Sequence, residues 1–243
     1  MFNLPASVAP LAEKLNHGGR LTRTEAKTLI TDAPLALLGL LATQAKERTS
    51  GKAVFYNRNF HIEPTNICVF NCRFCSYRRP ADSPEAWDYS MEDILKQVDQ
   101  HKNSGATEIH IVGGVHPRNG LDYYIELIQA IRVKMPHVSV KAFTAIELAY
   151  MIHKAGHSLE EGLARLKAAG MEAIPGGGAE IFAEPIRSRI CPEKGSAEEW
   201  LAVHRAAHKL QIPTNATILY GHIESLDDRI DHLDRLRNLQ DET

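Results

Sequence analysis

The sequence has 243 residues, of which 44% are hydrophobic and 24% charged, the balance of a globular chain rather than a disordered or fibrous one. Its 28 basic and 30 acidic side chains give a net charge of −2, which argues against binding to nucleic acid or to an anionic membrane. The N-terminus lacks a basic segment followed by an apolar one, and no apolar run reaches the ~18 residues of a membrane span. We therefore expect a cytoplasmic protein whose partners are small molecules.

Residues 1–51 are predicted to form a helical extension. Apolar residues recur there at spacings of three and four, with Asp32 as a candidate N-cap and Gly51 as a candidate stop. The remaining residues, 52–243, are predicted to form one α/β domain.

Strand and helix patterns alternate five times in this second part. The predicted strands are 62–67, 108–114, 138–143, 171–178 and 214–221. The predicted helices are 90–105, 121–135, 158–170, 196–211 and 225–243, and three of them begin with a capping pattern at Ser90, Ser158 or Ser196. This alternation predicts parallel strands joined by right-handed crossovers, in a (β/α) barrel or an open sheet. Because the chain stops after the fifth repeat, we expect it to be cut short before the last strands of a closed barrel.

Both architectures bind ligands at the carboxyl ends of their strands. Distinctive residues follow each predicted strand: the clustered cysteines, then residues 113–117, 144–147, 176–180 and 220–224. We therefore expect the functional site to lie at this one edge of the sheet.

The stretch CVFNCRFCSYRR, residues 68–79, contains three of the four cysteines. In a reducing compartment, clustered cysteines indicate a metal site or catalysis more often than disulfides. Thiolates spaced as Cys68, Cys72 and Cys75 can hold three corners of a [4Fe–4S] cluster and leave the fourth iron open to a small molecule. A zinc site with Cys191 or a histidine as fourth ligand is an alternative. A thioredoxin-like pair, Cys72 and Cys75, is another, and it leaves Cys68 unexplained.

With these cysteines, and with Phe74 before the last of them, the sequence resembles the radical S-adenosylmethionine (SAM) enzymes. More narrowly, six strings resemble the adenosyl-transferring enzymes of the futalosine route to menaquinone: HIEPTNICVFNCRFCSYRR, VGGVHP, KAFTAIE, PGGGAEIF, RICPEK and PTNATILYGHIES. The resemblance runs from about residue 62 to residue 243. It implies a partial (β/α) barrel of the radical SAM type, with a [4Fe–4S] cluster and SAM as cofactors.

The resemblance also implies roles for several residues around the cofactor. Phe74 corresponds to a residue that packs near the adenine, and Glu180 is in a position to accept hydrogen bonds from the ribose hydroxyls. Gly113 and Gly114 match a turn whose bare backbone approaches the methionine end of SAM. Val115 stands where the family usually has glutamate, which removes a side-chain contact. A plain tight turn for the glycines and a helix-terminal carboxylate for Glu180 are the alternatives.

The implied reaction adds the 5'-deoxyadenosyl radical of SAM to 3-[(1-carboxyvinyl)oxy]benzoate, after which the aryl group migrates and carbon dioxide is lost. A low-potential electron donor such as flavodoxin or ferredoxin is the implied partner. The alternatives are the related cyclase, which abstracts hydrogen from dehypoxanthine futalosine, and a zinc-stabilised binding module without redox chemistry.

His116 and His222 each follow a predicted strand at the functional edge and are the candidate catalytic residues. Arg78 and Arg79 flank the cysteines, where they are weaker candidates for contact with an anionic substrate.

A second pair of histidines is not expected to be catalytic. His204 and His208 have the helical spacing of zinc proteases, but Arg205 stands where the general base would be glutamate. We expect both on the surface or in an interface of an outer helix.

Overall fold

The computed structural model describes residues 4–243, which divide into two compact units. The first unit combines the chain up to Tyr56 with Glu224–Arg235. It contains α1 (Ala9–Asn16), α2 (Arg23–Asp32), α3 (Leu35–Ser50) and the first part of the last helix. A small apolar core joins α1, α2 and α3. Arg23 Nε in α2 lies 2.6 Å from Asp234 Oδ2 in the last helix.

The second unit, Asn57–Ile223 with Leu236–Thr243, contains a parallel sheet and its helices. The strands are β1 (Asn59–Ile62), β2 (Glu108–Ile111) and β3 (Ser139–Ala142). The helices are α4 (Met91–Gln100), α5 (Leu121–Lys134), α6 (Ala145–Lys154), α7 (Leu159–Ala169), α8 (Glu184–Ile190) and α9 (Ala197–Lys209), and α10 (Leu226–Glu242) has parts in both units. Within residues 4–243, none of the helices combines the length and apolarity needed to cross a membrane.

The three strands are parallel and lie in the order β1-β2-β3. Beyond β3 the pairing continues only as isolated parallel bridges, from Lys141 to Ala173 and from Ile174 to Thr214. All five predicted strand segments therefore contribute to parallel pairing, as predicted, but the fourth and fifth are single bridges rather than strands. Pro175 and Pro213 offer no N–H donor to a ladder, which is a physical reason for the short pairing there.

The first strand lies earlier than predicted, at Asn59–Ile62 rather than 62–67. The residues that follow it pair with a later loop instead: Asn66 N donates to Trp87 O at 3.3 Å, and Arg79 N donates to Asn66 O at 2.9 Å. The segment before the cysteines is therefore fixed by the loop that follows them.

Helix starts agree well with the sequence. Ser90, Ser158 and Ser196 each accept a hydrogen bond from a backbone N–H in the first turn, as predicted. Gly51 ends α3 with a φ of 63°. Asp32, however, is the last residue of α2, and α3 begins after Pro34. Two helices, α6 and α8, were not predicted from the sequence.

Candidate active site

The clustered cysteines lie on a loop that is fixed by backbone hydrogen bonds to distant parts of the chain. Val69 N donates to Val115 O (3.0 Å) after β2, and Arg73 N donates to Ile190 O (2.8 Å) at the end of α8. All three thiols are free and half-buried. Elements far apart in the sequence therefore determine the shape of this loop.

A cavity of about 320 Å³ opens beside the cysteine loop. The three clustered cysteines and the four predicted cofactor-binding residues all line it: Cys68, Cys72, Cys75, Phe74, Gly113, Gly114 and Glu180. The tertiary structure thus brings the predicted metal-binding and cofactor-binding residues to one space. Two further residues without an individually predicted role, Glu147 and Lys194, line the same cavity.

The paired glycines after β2 are required by the chain that crosses them. Gly114 N donates to Thr65 O at 2.8 Å, and a Cβ on Gly114 would lie only 2.2 Å from Ile67 O. A Cβ on Gly113 would lie 3.0 Å from Thr65 O. Because glycine has no Cβ, the segment that leads to the cysteines can pack directly against this turn.

The carboxylate of Glu147, in the first turn of α6, binds the backbone of the glycine turn. Its Oε1 accepts a hydrogen bond from Gly113 N at 3.0 Å, and its Oε2 accepts one from Thr144 N at 2.7 Å in the capping box of α6. Burial raises the pKa of this carboxyl to about 7, although the two N–H donors favour its ionised form. The sequence signal was the pattern Thr-x-x-Glu directly after the third strand, which is typical of a capping box.

A buried ion pair forms another part of the cavity wall. Lys194 Nζ lies 2.5 Å from Glu180 Oε1, and each side chain is only 13% exposed. The same Nζ lies 5.8 Å from the ring centroid of Phe74. Burial alone would lower the pKa of Lys194, but the charge and hydrogen bond of Glu180 hold it above its usual value. The lysine stood in the string RICPEK, whose pattern alone gave it no role.

The glycine-rich loop that carries Glu180 is held by two buried side chains. The Arg187 guanidinium donates to Ala179 O at 2.7 Å and to Gly195 O at 2.6 Å. Trp200 Nε1 donates to Gly177 O at 3.1 Å. Because a buried guanidinium needs such partners, Arg187 ties together the segments that present Glu180 and Lys194.

Cys191 is buried beneath the cysteine loop. It forms a small apolar cluster with Ile181 and Ile190, against which Cys72 packs. Burial raises the pKa of Cys72 to about 11, although the nearby Lys194 opposes this. In the part of the chain that the structure describes, no group of three or more His, Cys, Asp or Glu side chains is placed to hold a single metal ion.

The donor set suits an iron–sulfur cluster with a small-molecule ligand. Three free thiols on one loop line one part of the cavity, and the buried Glu180–Lys194 pair with the bare glycine turn lines the rest. Thiolates are the ligands that such clusters take.

His116, a predicted catalytic residue, is buried in the loop after β2. Its Nδ1 accepts hydrogen bonds from Arg118 N and Asn119 N, both at 3.2 Å, and its Nε2 lies 3.4 Å from Asp88 Oδ2. These contacts shape the loop, and His116 is not among the residues that line the cavity.

His222, the other predicted catalytic residue, is exposed. Its Nε2 lies 3.1 Å from Leu219 O, and it too is not among the lining residues. The structure therefore does not bring the two histidines to the cavity, and a catalytic role for either stays a prediction.

His204 does not lie at the surface, which was one of the two positions expected for it. It is 1% exposed and stacks on Trp200 with ring centroids 3.6 Å apart. His208 is half-buried and its Nε2 lies 2.9 Å from Thr214 Oγ1. Both rings belong to the packing of α9.

The two arginines after the cysteines have different surroundings. Arg79 Nε lies 2.6 Å from Glu85 Oε2. Arg78 lines the cavity, and its buried Nε has no hydrogen-bond partner among residues 4–243. Of the two, Arg78 is therefore the one placed to meet an anion.

Comparison with known proteins identifies the wider group. Residues 62–236 match the model of the Radical SAM superfamily. In solved structures, the chain is similar to methylornithine synthase, with a TM-score of 0.73 and 17% identity over 94% of this chain and 64% of that one. At that identity the likeness shows the fold alone.

Curated relatives are closer in sequence. Aminodeoxyfutalosine synthase from Thermus thermophilus is 44% identical over 96% of this chain and 63% of its own length. A 5-amino-6-(D-ribitylamino)uracil–L-tyrosine 4-hydroxyphenyl transferase from Methanopyrus kandleri is 39% identical, over 83% and 55%. Cyclic dehypoxanthine futalosine synthase from Streptomyces coelicolor is 35% identical, over 98% and 61%. The chain thus spans roughly three fifths of the length of these relatives.

Proposed function

The chain belongs to the radical SAM superfamily, and we propose that it transfers the adenosyl group of SAM to 3-[(1-carboxyvinyl)oxy]benzoate. The product is 6-amino-6-deoxyfutalosine, formed with loss of carbon dioxide in menaquinone biosynthesis. The observation that carries this proposal is the 44% identity to an aminodeoxyfutalosine synthase over 96% of the chain.

The cofactors of this superfamily are a [4Fe–4S] cluster and SAM, which together supply a carbon-centred adenosyl radical when bound. Cys68, Cys72 and Cys75 would hold the cluster through their thiolates. The cavity that they line extends to Gly113 and Glu180, and this supports binding of SAM in the same space.

Glu180 and Lys194 would bind SAM as a preformed pair. The Glu180 carboxylate would accept hydrogen bonds from the ribose hydroxyls, with Lys194 as its buried ion-pair partner. The two remaining N–H donors of the ammonium are available to an anionic group of a ligand. Phe74, which lies beside Lys194, offers its ring to the adenine.

Glu147 compensates for the departure at Val115. Its carboxylate reaches the glycine turn from α6 and lines the cavity. It therefore restores a carboxylate at the turn where the family usually has a glutamate two residues after the first glycine.

The proposed acceptor is anionic, and the position of Arg78 at the cavity supports a contact with it. The guanidinium borders the cavity next to the cysteine loop, and its Nε needs a partner. A carboxylate is the acceptor that suits a guanidinium best. Reduction of the cluster requires a low-potential electron donor such as flavodoxin or ferredoxin. We also propose that the protein is cytoplasmic.

A second candidate is the cyclase reaction, which the 35% identity to a cyclic dehypoxanthine futalosine synthase supports. The two differ in the fate of the adenosyl group. Addition to a double bond places the 5' carbon in the product, whereas hydrogen abstraction releases free 5'-deoxyadenosine.

The test uses the purified protein after anaerobic reconstitution, with dithionite, isotope-labelled SAM and the enol ether. Mass spectrometry of the nucleosides should show a labelled adenosyl adduct and little free 5'-deoxyadenosine. Stoichiometric 5'-deoxyadenosine without an adduct would overturn the transferase proposal. Absence of iron and sulfide from the reconstituted protein would instead favour a zinc-stabilised binding module.

A further inference from the structure

The sheet has one apolar face and one polar face. Six alternating positions are buried against the helices: Phe60, Ile62, Ile109, Ile111, Val140 and Ala142. The positions between them all carry polar side chains: Asn59, His61, Glu108, His110, Ser139 and Lys141. Strands of parallel sheets are ordinarily apolar on both faces, and small barrels fill their interior with branched apolar residues. This face therefore departs from the composition of a packed interior.

Three of these polar residues form a row across the sheet. His61 is the register partner of His110, and His110 is the register partner of Lys141. The two imidazole rings lie 4.7 Å apart between centroids. We call these three residues the basic row.

The basic row has unused hydrogen-bonding capacity. His110 Nε2 is buried without a hydrogen-bond partner among the described residues. Lys141 Nζ lies 3.2 Å from Glu108 Oε2, which satisfies one of its three donors. Burial lowers the pKa of His110, the neighbouring His61 and Lys141 lower it further, and Glu108 raises it. A buried polar atom without a partner is costly, which is a reason to expect a ligand there.

The row lies one level below the cavity on the same face of the sheet. Glu63 and Val112, two residues beyond His61 and His110, line the cavity. The β1–β2 ladder continues to this level, because Val112 N donates to Ile62 O at 3.2 Å. Side chains two residues apart in a strand share a face and are separated by roughly 7 Å along it. A ligand of that length can reach from the cavity to the row.

We infer that the basic row binds a carboxylate of the substrate and thereby holds its reacting carbon at the cavity. This inference rests on the proposed function and names the residues that select an acidic acceptor. The acceptor has two carboxylates, so Arg78 in the cavity wall and the basic row can each bind one. His61, His110 and Lys141 are thus assigned as specificity-determining residues that bind the far end of the substrate.

The test measures binding rather than turnover. The enol ether and its benzamide counterpart are titrated calorimetrically into the SAM-loaded protein, in the unmodified form and as Lys141→Met and His61→Leu variants. His61 is exposed, so its variant should fold normally. Lys96→Met serves as the matched control, because Lys96 is an exposed lysine on α4.

We expect each row variant to bind the acid at least tenfold more weakly, with unchanged SAM affinity and iron content. The benzamide should bind weakly to every form, and Lys96→Met should match the unmodified protein. The inference would be overturned if both row variants bound the acid as tightly as the unmodified protein does. It would also be overturned if the unmodified protein did not bind the acid. If the acid binds through the row but no adenosyl adduct forms in the turnover experiment, the proposed function fails while the carboxylate site stands.

Discussion

Glu147 Oε1 lies 3.0 Å from the backbone nitrogen of Gly113, although 34 residues separate them in the sequence. The same carboxylate caps α6 through Thr144 N. One buried side chain thus joins the turn after β2 to the start of the next helix. Its removal would leave two backbone donors without this acceptor.

The first prediction concerns stability. Glu147→Ala should lower the free energy of unfolding by about 2 kcal/mol or more, because buried donors lose their partner. Glu161→Ala is the matched control: Glu161 has the same capping-box position in α7 but is exposed, so its loss should cost about 1 kcal/mol or less. Urea denaturation of both variants checks this, and equal losses would contradict the special role of Glu147.

The second prediction concerns the ion pair in the cavity. Lys194→Met should weaken SAM binding at least tenfold, measured by equilibrium dialysis, because Glu180 loses its partner and the ligand loses a cation. It should also lower the urea midpoint, since an unpaired buried carboxylate is destabilising.

A double variant separates the two effects. Lys194→Met with Glu180→Gln should recover much of the lost stability but not the SAM affinity. Recovery of both would mean that the pair is only structural. Lys102→Met, on an exposed lysine paired with Asp99, is the charge-matched control.

The third prediction concerns the cluster ligands. Alanine variants of Cys68, Cys72 and Cys75 should each retain little iron after anaerobic reconstitution, because the loop then offers only two thiolates. Cys191→Ala should retain its full iron content, although Cys191 packs near Cys72. Iron analysis per chain checks all four variants. Loss of iron in Cys191→Ala together with its retention in Cys68→Ala would overturn the assignment.

The fourth prediction concerns acid stability. Burial lowers the pKa of His204 to about 3, from an ordinary value near 6.5. Below pH 6.5 the unfolded chain therefore binds a proton that the folded chain does not, and stability falls as the pH decreases towards 3. His204→Phe keeps an aromatic ring on Trp200 and should flatten this decline.

The measurement is the urea midpoint between pH 7 and pH 4. His208→Phe, one turn along α9 and half-buried, is the matched control and should have a smaller effect on the slope. The same slope in the unmodified protein and in His204→Phe would show that other groups cause the acid sensitivity.

The sequence by itself determined the features that are encoded within a few neighbouring residues. The spacing of Cys68, Cys72 and Cys75 and the serine caps of α4, α7 and α9 are local patterns, because a loop or a first helical turn brings such residues together without help from the rest of the chain. The alternation of strands and helices likewise predicted that the strands are parallel, since each helix must return the chain to the starting edge of the sheet.

Only the tertiary structure decided which distant residues meet. Lys194 reaches Glu180 because the buried Arg187 donates to the carbonyls of Ala179 and Gly195, the chain neighbours of these two residues. Glu147 reaches Gly113 because parallel strands end at one edge. The approach of His116 Nε2 to Asp88 Oδ2 depends in the same way on packing between separate loops. These pairings depend on packing between separate elements. The contribution of that packing to the free energy of folding cannot be read from a short stretch of sequence.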